Sequence, residues 1–516
     1  MIIRTTMILL LTVCSTAMLS GQTQITRAGQ QPLVRPAAPA TATFSAFRQQ
    51  EEDDKPTSNE QVLAKQLDEF HKRLKELEEI ASGLQDDQED GSFKERIETI
   101  EDSLTENTDA IGDIDATFDN YVKSGHGATR MKLSGRVHLD YWNFPSEGAD
   151  IAALEGGDPQ DRVVFRRIRF GVAGKIDYNT VYKIEIEFAG GVDPSYRDVY
   201  LGFEHLPVFQ TVLIGNQKRP YGLDHLNSSR YNVFIERPFV VEGFNEDSRR
   251  LGIVSYGVSE DLRHNWRYGL YHQGLTQTTD GFTSDNYQAE VAARWATTWW
   301  WDECSDGRGY GHFAIAGSYG SPNGLAADPD DNAAQFRTRP EARTDNRFLD
   351  TGEILGANTT TLGAIEGVLN VGPLQIVGEY QNLRVDRLAA FGPQLNFQGG
   401  YIQAAYFLTG EHMPWDRRRG VQGRPVPFEN FFSVCDCDGF IQNGLGAWQV
   451  AARYSVADFS DEDIDGGRGE SLTLALNWYW NAYARMQFNY LVGDIESAST
   501  IAGDYQILGA RFMVDF

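Results

Sequence analysis

Counting back from the C-terminus, Phe516, Val514, Phe512, Ala510 and Leu508 share one face of the chain, and Asp515, Met513, Arg511 and Gly509 share the other. A strict period of two predicts a β-strand with one apolar and one mixed face. The same alternation recurs upstream. Leu133, Gly135, Val137, Leu139 and Tyr141 alternate with Ser134, Arg136, His138, Asp140 and Trp142; Trp448 to Val456 and Leu472 to Trp480 repeat it near the end. About sixteen such strands fit between residue 124 and the C-terminus, within the range of bacterial outer-membrane barrels. A soluble β-sandwich would also alternate. The terminal aromatic residue, the aromatic-rich apolar faces and the length favour an all-β, antiparallel outer-membrane barrel, apolar towards lipid and polar towards a lumen.

Long polar stretches at 145–161, 321–353, 409–444 and 457–470 interrupt the strands and are the candidates to fold inward and narrow the pore. In such barrels long loops face outwards and short turns face the periplasm.

The N-terminal part has a different period. Leu63, Leu67, Phe70, Leu74, Leu77, Ala81 and Leu84 alternate spacings of four and three. After a break near Gly91 the pattern resumes from Phe93 to Tyr121. This predicts a coiled-coil stalk over 58–123. Isoleucine at both seam positions (Ile97 with Ile100, Ile111 with Ile114) favours trimers or higher, and Asn107 would fix the register. Residues 22–57, rich in Gln, Pro, Ala and Thr, read as a disordered linker. Residues 1–21, with Arg4 ahead of a mostly apolar run, read as a signal peptide cleaved after Ala17 or Gly21.

Composition sharpens the class. The chain has 516 residues, a formal net charge of −27 and a mean hydropathy of −0.41. No apolar run beyond the N-terminus is long enough for a spanning helix, which agrees with strands hiding every second residue from a hydropathy scan. The acidity excludes a nucleic-acid partner, because phosphate backbones need a basic surface. Three cysteines remain after the signal, Cys304, Cys435 and Cys437. Cys435-Asp-Cys437 offers too few ligands for a zinc site and is either a local loop disulfide or a pair of inert thiols. Asp461-Glu-Asp-Ile-Asp465-Gly466 imitates the start of a calcium loop, but its twelfth position is Leu472, so it reads as a solvated acidic loop. No Gly-rich phosphate loop, His-Glu-x-x-His or nucleophile elbow is present, so neither an enzyme nor a cofactor is expected.

Several blocks then add a resemblance: Arg166-Arg-Ile-Arg-Phe-Gly, Tyr196-Arg-Asp-Val-Tyr-Leu-Gly-Phe203, Gly215-Asn-Gln-Lys-Arg-Pro-Tyr-Gly-Leu223, Asn227-Ser-Ser-Arg230, Phe234-Ile-Glu-Arg237, Arg249-Arg-Leu-Gly252, Arg339-Pro-Glu341, Leu408-Thr-Gly-Glu411 and Gly446-Ala-Trp448. In this order residues 131–516 resemble the phosphate-selective porin O and P family. The resemblance implies a trimeric, sixteen-stranded anion porin whose basic residues guide oxyanions. The family's paired arginines fall on Arg166 and Arg167, its lumen aspartate on Asp198, and a basic residue on Arg230.

Alternation supplies an independent check. Ile168, Phe170 and Val172 face lipid, so Arg167 and Arg169 face the lumen, and Arg166 joins them only if a bulge intervenes. The same logic turns Arg136, Lys183, Arg294, Arg453, Arg485 and Arg511 inward, together with Asp140, Glu185, Glu187, Glu290, Glu366, Glu379 and Asp515. Two loop clusters stand apart: Arg337, Arg339, Arg343 and Arg347, which would line a constriction if their loop folds in, and Arg417 to Arg419, which read as a solvated outer loop.

The expectation is therefore a passive, homotrimeric outer-membrane porin for small anions, plausibly phosphate or polyphosphate. Its predicted anion-binding residues are Arg166, Arg167, Arg169, Asp198, Arg230, Arg453, Arg485 and Arg511. The barrel would contact membrane lipid and lipopolysaccharide, with the stalk in the periplasm. The alternative is a structural protein with a general pore, its stalk tethering the membrane to the cell wall.

Overall fold

The computed structural model describes residues 122–123 and 129–516, apart from 156–158, 177, 191–192, 246–247, 275–286, 323–332, 436–440 and 497–501. The expected signal peptide, linker and nearly all of the stalk lie outside the described residues.

Sixteen antiparallel strands form one closed barrel: β1 (Thr129–Glu147), β2 (Arg162–Ile176), β3 (Thr180–Glu187), β4 (Ser195–Leu206), β5 (Gln210–Lys218), β6 (Arg249–Val258), β7 (His264–His272), β8 (Ala289–Trp301), β9 (Gly309–Gly320), β10 (Ala357–Val371), β11 (Leu374–Arg387), β12 (Leu395–Phe407), β13 (Ala447–Asp461), β14 (Ile464–Tyr479), β15 (Ala484–Glu496) and β16 (Gly503–Asp515). Each pairs with its sequence neighbour, and β16 returns to β1. At this seam Arg136 lies opposite Asp515, Leu139 opposite Phe512 and Asp140 opposite Arg511. Phe516 completes the closure. Its carbonyl accepts from the Gly135 amide at 2.9 Å, and its amide donates back at 3.1 Å. Its ring covers Gly135 so closely that a Cβ there would sit 2.2 Å from the ring edge. The alternation assigned from sequence holds in β16: Phe516 is 60 % exposed on the outer face, while Arg511, Met513 and Asp515 are buried on the inner one.

Both ends of the barrel chain lie at one rim, the terminal rim. Six of the seven connections there are only two to seven residues long. The seventh, 408–446 between β12 and β13, is long, so the arginines Arg417 to Arg419 belong to this rim rather than to an outer loop. The 457–470 stretch also departs from expectation. Residues 457–461 extend β13 and 464–470 extend β14, with a tight turn between them. Asp463 there pairs with Arg387, and the Ser460 hydroxyl donates to Asp465; the segment is a hairpin tip, not an ion-binding loop. The stretch reads as loop in sequence because its outward positions Asp458 and Ser460 are polar, while Ala457 and Phe459 are buried on the inner face.

The lumen is occupied by chain. Loop 219–248 folds in from the opposite rim and carries α1 (Leu223–Leu226) and α2 (Phe239–Gly243). Parts of 333–356 and of 408–424 join it. The sequence signal for the first of these was weak: 219–248 contains Val233, Phe234, Ile235, Phe239, Val240 and Val241, all buried, and does not read as a polar interruption. Small inward residues on the wall, Ala405, Ala447, Ala451 and Ala475, leave room for Val233, Phe234 and Met413. Towards the opposite rim the lumen is apolar, with Phe244 stacked on Phe459 at 5.2 Å between ring centroids and edge-on to Phe336.

Candidate functional site: the loop-filled pore

Arg166 reaches the lumen through a bulge. Opposite β1, His138 pairs with Arg167 and Leu139 with Phe165, so Arg166 is the extra residue. An inserted residue breaks the period of two and lets two consecutive side chains face the same way. The Arg166 guanidinium forms a bidentate pair with Glu236 of the inward loop, at 2.6 and 2.9 Å. Arg167 and Arg169 also face inward, as alternation required.

Most charged groups on the wall are paired. Arg136 meets Glu185 at 2.6 Å, Arg169 meets Glu187 at 2.5 Å, and Asp198 is held between Lys183 and Arg249, each at 2.5 Å. Arg219 meets Glu290 at 3.0 Å, and Arg294 pairs with Glu366. Arg230 lies 3.7 Å from Asp515 and donates to the Gly135 carbonyl at 3.2 Å. The expected inward set is thus inward, and much of its balance of signs is realised as ion pairs.

Arg453, Arg485 and Arg511 face inward, yet their surroundings differ from the expectation of groups open to a passing solute. They are only 1–3 % exposed because segment 232–236 lies over them. Arg485 donates to the Asn232 carbonyl at 2.8 Å, Arg511 to the Ile235 carbonyl at 2.6 Å, and Arg453 to the Glu236 carbonyl at 3.0 Å. Gln487 and Asn477 take the Val233 carbonyl. A loop buried inside a barrel must satisfy its backbone without bulk water, and these wall side chains do so. Arg511 and Arg453 also hold acids: Arg511 is bidentate to Asp140 at 2.6 and 2.7 Å, and Arg453 meets Glu341 at 2.6 Å, whereas Arg485 donates to the Tyr479 hydroxyl and the Met513 sulfur. Lys218 plays a similar part at the end of α1, donating to the carbonyls of His225, Leu226 and Asn227 at 2.6–3.0 Å.

Two cations stand out. Arg167, 8 % exposed, makes no hydrogen bond or ion pair among the described residues, and its Nε is buried without a partner. Arg343, brought in by loop 333–356, is likewise unpaired among them. Burial, with Arg166 and Arg339 nearby, pushes its guanidinium down to about 10. The other arginines of that loop are engaged: Arg347 meets Glu242 at 2.5 Å and Arg339 meets it at 3.4 Å. Loop folding therefore does bring the 337–347 cluster in, where Glu242 neutralises much of it. Arg417 donates to the Asp261 carbonyl at 2.7 Å and lies over Trp301 at the terminal rim.

The sequence model for phosphate-selective porin O and P matches residues 131–516. The chain belongs to that family. Among curated proteins, this porin is 23% identical over 423 residues to Porin O of Pseudomonas aeruginosa, covering 72% of this chain and 85% of that protein. It is 24% identical over 402 residues to an uncharacterised protein of Caulobacter vibrioides, covering 76% of this chain and 75% of the other. Among solved structures, a loop L8 deletion mutant of OmpT, an outer membrane protein of Vibrio cholerae, aligns with a TM-score of 0.45 at 14% identity, over 75% of this chain and 99% of that one. The DcaP channel of Acinetobacter baumannii aligns with a TM-score of 0.44 at 10% identity, over 77% and 99%. Family and barrel together make the protein an outer-membrane channel.

Proposed function

We propose that the channel passes small anions by diffusion, with phosphate or polyphosphate as the favoured class, through a lumen whose free cations among the described residues are Arg167 and Arg343. The observation that carries this is the contrast in pairing. Most lumen arginines already hold a carboxylate or a backbone carbonyl, whereas these two keep unspent donors beside the Arg166–Glu236 pair. A guanidinium matches an oxyanion with two parallel hydrogen bonds. Neighbouring carboxylates keep binding weak enough for the ion to leave, as conduction requires. Arg169, Asp198 and Arg230 shape the surrounding field, and Arg453, Arg485 and Arg511 hold the loop that forms the passage. The working unit is a homotrimer in contact with lipid and lipopolysaccharide, with the terminal rim and the stalk on the periplasmic side.

Reversal potential across a salt gradient tests the reading. Anion preference in chloride, reduced current on adding phosphate, and loss of that reduction in Arg167→Ala are expected. Cation preference without phosphate block would reject anion selectivity.

A second reading rests on the heptad seam upstream of the barrel: the stalk tethers the membrane to the cell wall. Deleting residues 58–121 separates the two, because a tether loses envelope attachment while conductance persists.

A further inference from the structure

Connection 408–446 divides into two parts with opposite surroundings. Its first part enters the lumen. Trp415 packs at 4.5 Å from His312 and 5.3 Å from Tyr310, and donates from its indole to Thr298. The Gln422 amide donates to Asn227 of the inward loop at 3.0 Å, and Arg424 pairs with Asp515. Its second part turns outward. Phe431 sits edge-on to Trp478 at 4.4 Å and against Trp480 at 5.8 Å, and its amide donates to the Trp480 carbonyl at 2.7 Å. Trp478 stacks on Trp448, and Trp480 meets Phe512. Both Trp448 and Trp478 donate their indole N–H groups to the Leu445 carbonyl. The loop has thus joined the outer, lipid-facing side of β13–β16 at the terminal rim.

We infer that residues 425–435 and 441–446 form a membrane-interface anchor, lying on phospholipid at the terminal rim and holding the inserted part, 411–424, in the pore. The inference rests on the outer-membrane reading above. Lipid is the occupant because the surface continues the barrel's own lipid face. Trp448 and Trp478, with satisfied N–H groups and apolar ring faces, have the chemistry of the headgroup boundary. Beyond them the segment presents Val426, Phe428, Phe432 and Leu445, with Phe432 70 % and Leu445 67 % exposed. Phe432 beside Phe431, and Leu445, whose carbonyl holds both indoles, extend that apolar face, while Phe428 lies under the Arg308 guanidinium; an apolar face left in water would be costly. Phe432 also has φ +76°, a left-handed conformation that a bulky residue rarely takes. Such strain persists where the surroundings hold it, and here it turns an aromatic ring away from the protein. The two parts are joined along the chain at Arg424 and Pro425 and by the Phe428 amide, which donates to the Glu411 carboxylate at 3.0 Å, so displacement of the anchor pulls on the part that meets Gln422 and the inward loop.

The test uses the full-length channel in phosphatidylethanolamine and phosphatidylglycerol bilayers. A nitroxide is placed at Phe432→Cys, with Cys304, Cys435 and Cys437 changed to Ser, and a control label goes on the lipid face at Leu474→Cys. The anchor predicts that the label at 432 is relaxed more by oxygen than by a water-soluble nickel chelate, at a shallower depth than the control. Greater access to nickel would overturn it, placing the segment in water. Shielding from both reagents would also overturn it, assigning the surface to another protein subunit. If the control at 474 were open to nickel, the lipid-facing assignment of the barrel itself would fall, and the anchor with it. A functional arm follows: Phe428→Ser with Phe432→Ser should increase open-channel current fluctuations, and unchanged fluctuations would remove the link to the pore.

Discussion

Arg167 and Arg453 point into the same lumen, but substitution should separate them. Arg167 holds no protein partner among the described residues, so Arg167→Ala leaves nothing stranded and fold stability should change little. A charge-assisted hydrogen bond contributes roughly 1.5–3 kcal/mol, so half-block by phosphate should need about 10–100 times more anion. Arg453→Ala has the opposite signature. It strands Glu341, a buried carboxylate that also accepts from Ser455 and Thr473. Breaking a buried pair in this way costs about 3–5 kcal/mol. A lower urea midpoint with phosphate block largely retained is the expected outcome. Equal loss of block in both variants would mean that the pairing pattern does not select the site. From sequence the two arginines were indistinguishable, since alternation reports which face a residue occupies and not what covers it. Arg166 shows the other limit. A bulge depends on the register of the partner strand, and only His138 and Leu139 on the neighbouring β1 reveal it.

Among the elements, loop 219–248 decides the passage, and Gly222 is where it docks on the far wall. Its φ is +80°, and a Cβ would lie 2.5 Å from a Glu379 oxygen. Glu379 in turn accepts from the Leu223 and Asp224 amides at 3.0 and 3.2 Å, holding the start of α1. Gly222→Ala adds a left-handed alanine, costing about 1–2 kcal/mol, and pushes that carboxylate away. The barrel should remain intact by heat-modified gel mobility, while conductance rises or fluctuates as the loop loosens; an unchanged channel would show that the docking is dispensable. Strand existence was legible because sixteen segments keep a period of two. The filling of the lumen was not, because an apolar inward loop resembles strand or core: Phe234 and Ile235 are buried against a wall, yet the wall is the inside of a barrel. Inward-facing Phe397 and Phe459 belong to the same blind spot, since alternation assigns apolar residues to lipid.

For the whole molecule, the wall has unequal height. β3 has 8 residues and β5 and β7 have 9 each, against 19 in β1 and 16 in β14. Eight residues rise about 26 Å along a strand, and a tilt of about 45° leaves roughly 19 Å, short of the apolar band of about 25 Å that lipid requires. Strands this short are better covered by protein, which makes β3–β7 the expected contact between subunits of the proposed trimer. An unbroken outward row crosses this wall, Leu201 beside Ile214, Ile253 and Leu270, each in register with the next. Ile214→Arg puts a charge in the middle of that row, whereas Leu474→Arg puts one on the tall wall. Either charge facing lipid costs about 2–4 kcal/mol near mid-membrane, so a general insertion penalty affects both variants alike. A subunit contact affects one. Ile214→Arg should convert the oligomer band on an unheated gel to folded monomer, and Leu474→Arg should keep it. The reverse result would move the contact to the tall wall, and retention of the oligomer in both would show that the low wall meets lipid after all.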